Sequence, residues 1–125
     1  MFKCYNINPE HNDSSDCTVR AITLFVHEPY DDIYWDLSTE GFLQKRILIE
    51  DRVWNSYLEK RGFIFNRIPN DCPRCYSVRE FAQQNQNGAF LLKVPDHVVC
   101  VIDGDYYDTW DSGNEVVLYY WRKEK

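Results

Sequence analysis

The sequence predicts an α+β fold in which N-terminal helices pack on a C-terminal antiparallel β-sheet. Apolar residues recur at helical spacing along the first two thirds of the chain, whereas the last third alternates like strands joined by turn residues. Because 125 residues is the length of one ordinary domain, we expect a single domain over residues 1–125. Aromatic residues form 16% of the sequence, enough bulky side chains for one dense core.

The first predicted helix covers residues 16–27 and follows a loop, residues 1–15, that is rich in Asn, Asp and Ser. Ser15 or Asp16 can cap this helix, because both side chains accept hydrogen bonds from free backbone N–H groups. Cys17 therefore falls in the first helical turn.

A second helix is predicted over residues 29–37, since proline suits the first helical position and aspartates suit the positive helix end. Its core-facing residues are expected to be Ile33, Tyr34 and Leu37. Residues 38–49 show no clear period.

A third helix is predicted over residues 50–62, because apolar residues recur there at helical spacing and Gly62 is a typical terminator. Its apolar stripe consists of Val53, Trp54, Tyr57 and Leu58.

Residues 63–68 alternate like a short strand. Ser77 and Glu80 match a capping box at the start of a fourth helix, which ends before Gly88. The remaining chain predicts an antiparallel meander, because four strand-like segments follow one another with turn residues between them. These segments are residues 89–94, 97–102, 105–110 and 115–121.

The hairpin between the second and third of these strands has a register that can be counted. Asp103 and Gly104 suit a two-residue type I′ turn, which pairs the residues on either side of it. That register places His97 and Asp108 on one sheet face as diagonal neighbours, within reach of a hydrogen bond. A three-residue turn with a bulge would instead place Asp111 opposite His97, so Asp111 is the second candidate for this contact.

Cys17 has the position of a nucleophilic thiol. The first turn of a helix stabilises a thiolate through unsatisfied N–H groups and the helix macrodipole. A nucleophilic Cys also needs a base and a group that orients the base, and we assign these roles to His97 and Asp108. The alternative for Cys17 is a small buried side chain on the first helix. Cys4 and Cys100 are expected to be structural, and Cys100 points to the face of its strand away from His97.

Charge excludes one class of partner. The chain carries 14 Lys and Arg against 20 Asp and Glu, so nucleic acid is not an expected partner, because phosphate binding needs clustered cations. No apolar run reaches the roughly 20 residues of a membrane helix, and residues 1–10 do not resemble a signal peptide. We therefore expect a cytoplasmic protein with reduced cysteines and no membrane partner.

The order Cys, His, Asp resembles that of the papain-like cysteine peptidase superfamily, in which the Cys opens a helix and the His and acid lie on neighbouring antiparallel strands. Asp108-Thr109-Trp110 also has the form found there, in which a Trp shields the pair. The chain is similar to a family of small phage and bacterial proteins of this fold over YNINPEHNDSSDCTVRAI, EPYDDIYWDL and DHVVCVIDGDYYDTWD. The separation of 80 residues between Cys17 and His97 is nearer to that of compact bacteriocin-processing peptidases than to that of full-length papain.

The resemblance implies a cysteine-dependent hydrolase, either a peptidase or an isopeptidase or amidase, that acts on a peptide or protein without a cofactor or metal. Cys17 would attack the carbonyl carbon, His97 would take and return the proton, and Asp108 would orient His97. Asn12, five residues before Cys17, would join the Cys17 backbone N–H in holding the oxyanion, where the family usually has Gln.

Two other functions are open. A catalytically inactive papain-like phage accessory protein would bind and modulate a host factor in the host cytoplasm, which suits a small acidic chain. A zinc module would use Cys72 and Cys75, whose CxxC spacing forms half of a zinc site. Since no second pair of ligands follows at a suitable distance, we expect no metal.

Overall fold

The computed structural model describes residues 1–12, 15–68 and 76–123. Within these ranges, four helices and a six-stranded sheet confirm the predicted α+β class. Cys72 and Cys75 lie outside the described residues. The elements are β1 (Phe2–Cys4), α1 (Cys17–Val26), α2 (Tyr30–Gln44), α3 (Asp51–Lys60), β2 (Ile64–Arg67), α4 (Val78–Gln84), β3 (Ala89–Val94), β4 (His97–Ile102), β5 (Asp105–Asp108) and β6 (Tyr119–Arg122).

The strand order in the sheet is β1-β5-β4-β3-β6-β2, so the predicted meander is correct only for β3, β4 and β5. β6 pairs with the other edge of β3, where the buried side chains of Leu91 and Trp121 stand at paired positions. It begins at Tyr119 and not near residue 115, because Val117 donates its N–H to the Tyr76 carbonyl beside the start of α4.

β1 lies within the segment that was expected to be a loop. It pairs in parallel with β5, with Phe2 opposite Tyr106 and Cys4 opposite Asp108. A strand of three residues is too short to show a period in the sequence, and its existence depends on the edge that β5 offers.

The β4–β5 hairpin has the predicted register. Ile102 pairs with Asp105 and Cys100 with Tyr107, and the turn residues Asp103 and Gly104 both have positive φ, at 50° and 84°. Two positive φ angles define the type I′ geometry that matches the strand twist. β5 ends at Asp108, two residues before the predicted end.

The helices cover the sheet on both faces. α1, α2 and α3 pack on the face formed by Leu91, Val98, Cys100 and Trp121, whereas α4 packs on the opposite face, formed by Leu92, Val94, Val99 and Val101. Because side chains alternate along β4, its two faces enter two separate clusters. The start of α1 thereby lies against the beginning of β4.

The prediction for the second helix needs two corrections, one to its end and one to its buried face. α2 continues to Gln44, beyond its predicted end. The sequence does not show this continuation, because Trp35 and Phe42 are exposed and the apolar residues there do not repeat along one buried face. Tyr34 was expected in the core but is 44% exposed, whereas Ile33 and Leu37 are buried as predicted. The Ser77–Glu80 capping box and the buried stripe of α3 are confirmed.

Asp16 immediately precedes α1 but does not cap it through its side chain. Its carboxylate binds other side chains, which are described below. In the described part of the chain, none of the helices combines the length and apolar character needed to cross a membrane.

The hairpin geometry predicts a measurable asymmetry between its two turn residues. We expect Gly104→Ala to lower the free energy of unfolding by about 1–2 kcal/mol, because a side chain at positive φ is strained. Asp103→Asn is the matched control and should change it by less than about 0.5 kcal/mol, since Asn tolerates positive φ. Urea denaturation of both variants measures the difference, and equal stabilities would contradict the assigned turn.

Candidate active site

Cys17 is the first residue of α1 and is partly buried. Burial raises the pKa of its thiol, but the hydrogen bond and charge of His97 act in the opposite direction. The backbone N–H of Val98 and the side chain of Thr18 also stabilise the sulfur. The net effect is a thiol pKa below its ordinary value.

His97 is the first residue of β4 and is only 8% exposed. Its Nε2 lies 2.5 Å from Asp108 Oδ2, which leaves Nδ1 for the contact with Cys17. Burial lowers the pKa of His97, but the contacts with Asp108 and Cys17 outweigh burial and raise the pKa to about 9. The ring also lies against Trp110, with ring centroids 4.9 Å apart.

The two pKa shifts favour the same charge state. The sulfur releases its proton more readily than an ordinary thiol, and the imidazole holds its proton more firmly than an ordinary histidine. The pair therefore favours thiolate and imidazolium over two neutral groups, and this charged pair is lost when His97 loses its proton near pH 9.

Asp108, and not Asp111, contacts His97. Asp111 instead accepts a hydrogen bond from the Tyr106 hydroxyl at 2.7 Å. The choice follows from the two-residue turn, because the observed register keeps Asp108 on the His97 face of the hairpin. The alternative with a bulged turn is wrong.

The Asp108 carboxylate is buried among donors that fix its orientation. Ser112 donates its hydroxyl to Oδ2 at 2.8 Å, and Thr109 donates its backbone N–H to Oδ1 at 2.8 Å. Arg20 Nη1 lies 4.0 Å from Oδ1. The sequence gives no signal for the Ser112 contact, because Ser112 lies in an irregular loop. At Arg20, one turn after Cys17, the sequence favours a structural or surface pairing over support of the thiolate.

Asp16 forms a second buried network one residue before Cys17. Its carboxylate accepts from Arg20 Nε at 2.8 Å, from Asn8 Nδ2 at 2.9 Å and from the Tyr30 hydroxyl at 2.7 Å. Burial raises the pKa of Asp16, but these three donors together lower it. The network ties the start of α1 to α2 and to the preceding loop, so it fixes where Cys17 stands.

A cavity of about 330 Å³ lies in front of the Cys17–His97 pair. It is lined by Ser15, Cys17, Thr18, Ile49, Asp51, Lys93, Asp96, His97 and Val98. Lys93 Nζ forms an ion pair with Asp51 Oδ1 at 3.3 Å on one side of it. A substrate group placed in this cavity can contact the Cys17 sulfur directly.

Asn12 lies on the wall of the adjoining cavity, which meets the Cys17 cavity at Ser15. It is exposed, and its backbone carbonyl accepts a hydrogen bond from Asn6 Nδ2 at 3.3 Å. The structure thus brings Cys17, His97 and Asp108 together and places Asn12 in the adjoining cavity, which does not include these three residues.

No cluster of three or more His, Cys, Asp or Glu side chains with the arrangement of a metal site occurs among residues 1–12, 15–68 and 76–123. The chain matches no protein-family model, no curated protein and no solved structure. The geometry of the site is therefore the basis for interpreting its chemistry.

The charged pair predicts a Cys17 that depends on His97 for its reactivity. At neutral pH, we expect His97→Asn to slow alkylation of Cys17 by iodoacetamide about tenfold or more, because the hydrogen bond and charge of His97 that lower the thiol pKa are lost and each unit of pKa is a factor of ten in thiolate. His27→Asn, at an exposed histidine, is the matched control and should leave the rate unchanged. Peptide mass spectrometry measures the rate at Cys17, and equal rates in both variants would refute the pair.

The Asp16 network predicts an acid-sensitive contribution to stability. Because the pKa of folded Asp16 lies below 3.8, its contribution is present at neutral pH and is lost as the pH falls through that lower value. We expect Asp16→Asn to lower the free energy of unfolding by about 1–3 kcal/mol at neutral pH, since an amide would place an N–H against existing donors.

Denaturation at neutral and acidic pH tests this. The difference between wild type and Asp16→Asn should shrink in acid, whereas the exposed Asp32→Asn control should change stability little at either pH. A deficit in Asp16→Asn that is as large in acid as at neutral pH would contradict the assignment.

Proposed function

We propose that this protein is a cysteine-dependent hydrolase with a compact papain-like fold, acting on a peptide, isopeptide or related amide bond. The observation that carries the proposal is the linked arrangement of Cys17, His97 and Asp108 beside a cavity, with the thiol pKa lowered and the imidazole pKa raised. Perturbed, paired titratable groups at a cavity are typical of catalytic sites.

The first half of the reaction forms an acyl-enzyme. The Cys17 thiolate attacks the amide carbonyl carbon, and the electron pair of the carbonyl bond moves to oxygen. The His97 imidazolium then gives its proton to the leaving nitrogen as the C–N bond breaks. The amine departs, and the acyl group remains on Cys17 as a thioester.

The second half restores the enzyme. Neutral His97 takes a proton from water, and the resulting oxygen nucleophile attacks the thioester carbon. The C–S bond breaks, the carboxylic acid leaves, and the pair returns to thiolate and imidazolium. Asp108 acts throughout as the acceptor that holds Nε2, so that Nδ1 faces the sulfur.

The oxyanion needs donors near the start of α1. The Cys17 backbone N–H belongs to the first helical turn, where N–H groups have no partner within the helix. We assign the second donor to the Asn12 side chain, which stands on the adjoining wall. Such a donor contributes about 3 kcal/mol to the transition state in related chemistry.

A hydrolytic role explains the site better than a purely binding role. A surface that only modulates a host factor needs no thiol with a lowered pKa, and no buried carboxylate behind a histidine. Trp110 adds to this argument, since its ring lies against His97 and covers the imidazole on one side. An aromatic cover excludes water and strengthens the electrostatic contacts beneath it.

Cleavage of a defined peptide mixture tests the proposal. We expect wild-type protein to generate new peptide termini, or free lysine ε-amines from isopeptides, detected by mass spectrometry. Cys17→Ala should abolish cleavage, and His97→Ala should reduce it at least about 100-fold, the usual contribution of a general acid–base.

The matched control is Cys4→Ala, which removes an exposed thiol from β1 but keeps the backbone pairing of residue 4 with Asp108, and which should cleave like wild type. Circular dichroism confirms that each variant is folded. Cleavage that persists in folded Cys17→Ala, or a wild-type protein that cleaves neither linkage, would overturn the proposal.

A further inference from the structure

A second cavity adjoins the one at Cys17. Its volume is about 440 Å³, and Ser15 and Ile49 line both cavities. The two cavities therefore lie side by side, so a chain that presents a carbonyl to Cys17 can place a neighbouring side chain at the second cavity. The chemistry of this second cavity decides which side chain fits.

The polar wall of the second cavity carries unpaired negative charge. Glu10, in the loop before α1, and Asp31, in the first turn of α2, both line it. Neither carboxylate forms a hydrogen bond or an ion pair with any residue that the structure describes. The third acid, Asp16, is already neutralised by Arg20, and none of the described lining residues is Lys or Arg.

Apolar and aromatic residues form another part of the wall, beside the polar Asn8, Asn12 and Ser15. Tyr30 and Tyr34 lie with ring centroids 6.1 Å apart, and Ile47, Leu48 and Ile49 complete this side. Apolar surface next to unpaired carboxylates matches a side chain with a hydrophobic stem and a cationic end. Aromatic faces add attraction for the cation.

We propose that the second cavity is a substrate subsite that binds a lysine or arginine side chain next to the bond attacked by Cys17. The proposal rests on the hydrolase function above and adds the substrate class: a basic peptide. Glu10 and Asp31 approach from two different elements, so the cation is held between them. The stem packs against Ile47 and Ile49, and Ile49 also lines the cavity at Cys17.

An acid in the first turn of α2 could also serve helix stability alone. Asp32 is a control for this alternative, because it lies in the same turn as Asp31. Asp31 and Asp32 are both exposed in that turn, where the helix dipole favours either carboxylate. Only Asp31 lines the cavity. A role in substrate binding therefore separates the two residues, whereas a role in helix stability does not.

The experiment compares two covalent probes that differ only in charge. An N-acetyl-lysyl chloromethyl ketone and its norleucyl counterpart both alkylate a thiolate: the sulfur displaces chloride from the methylene carbon and forms a thioether. Alkylation of Cys17 by each probe is followed by peptide mass spectrometry in wild type, in the Glu10→Gln/Asp31→Asn double variant and in Asp32→Asn.

We expect the lysyl probe to react about five- to tenfold faster than the norleucyl probe in wild type, and this preference to fall when salt is added. The double variant should lose the preference while it keeps the norleucyl rate, and Asp32→Asn should retain the preference. This pattern supports the subsite.

The contrary results are distinguishable. Equal rates for the two probes in wild type, or a preference that survives in the double variant, would overturn the subsite while leaving the reactive thiol in place. If each probe alkylates Cys17 no faster in wild type than in His97→Asn, the hydrolase function itself fails, and the subsite fails with it.

Discussion

The buried carboxylate of Asp108 is the interaction on which the site depends. It receives a contact from His97 on β4, a backbone N–H from Thr109 and a hydroxyl from Ser112. Arg20 of α1 lies 4.0 Å away and also binds Asp16. One acid thus connects the sheet, the loop after β5 and the helix that carries Cys17. Burial lowers the pKa of His97, and without the Asp108 carboxylate only the Cys17 sulfur would act against that lowering.

The fold supplies this arrangement through two constraints. The type I′ turn at Asp103 and Gly104 sets the register that brings Asp108 beside His97. Packing of α1 on Val98 and Cys100 places the first turn of the helix at the beginning of β4, where Cys17 meets His97 and the Val98 N–H. Local turn chemistry and side-chain alternation therefore determine the geometry of a site whose members are far apart in sequence.

The sequence predicts those features that depend on local patterns. The hairpin register, the Ser77 capping box and the buried stripe of α3 follow from residue types at fixed spacing, and the structure confirms all three. Only the structure decides between Asp108 and Asp111, because one extra residue in the turn would place Asp111 and not Asp108 on the His97 face of the sheet. β1 was missed, since three residues carry no period and their pairing with β5 is set by tertiary structure.

The polar contacts around the site were also beyond sequence analysis. Ser112 and Asn8 are common loop residues, and only folding shows that one donates to Asp108 and the other to Asp16. Asp16 looked like a helix cap because capping and side-chain pairing favour the same residue type. The structure assigns its carboxylate to Arg20, Asn8 and Tyr30 instead.

The charge state of Cys17 tests the account most directly. The ultraviolet absorbance of a thiolate, taken as the difference between wild type and Cys17→Ala across a pH titration, reports the ionisation of this one sulfur. The account predicts a thiolate that forms below the ordinary thiol pKa of 9.0 and depends on His97. A wild-type Cys17 that ionises at or above 9.0, or a Cys17 whose pKa is unchanged in His97→Asn, would contradict it.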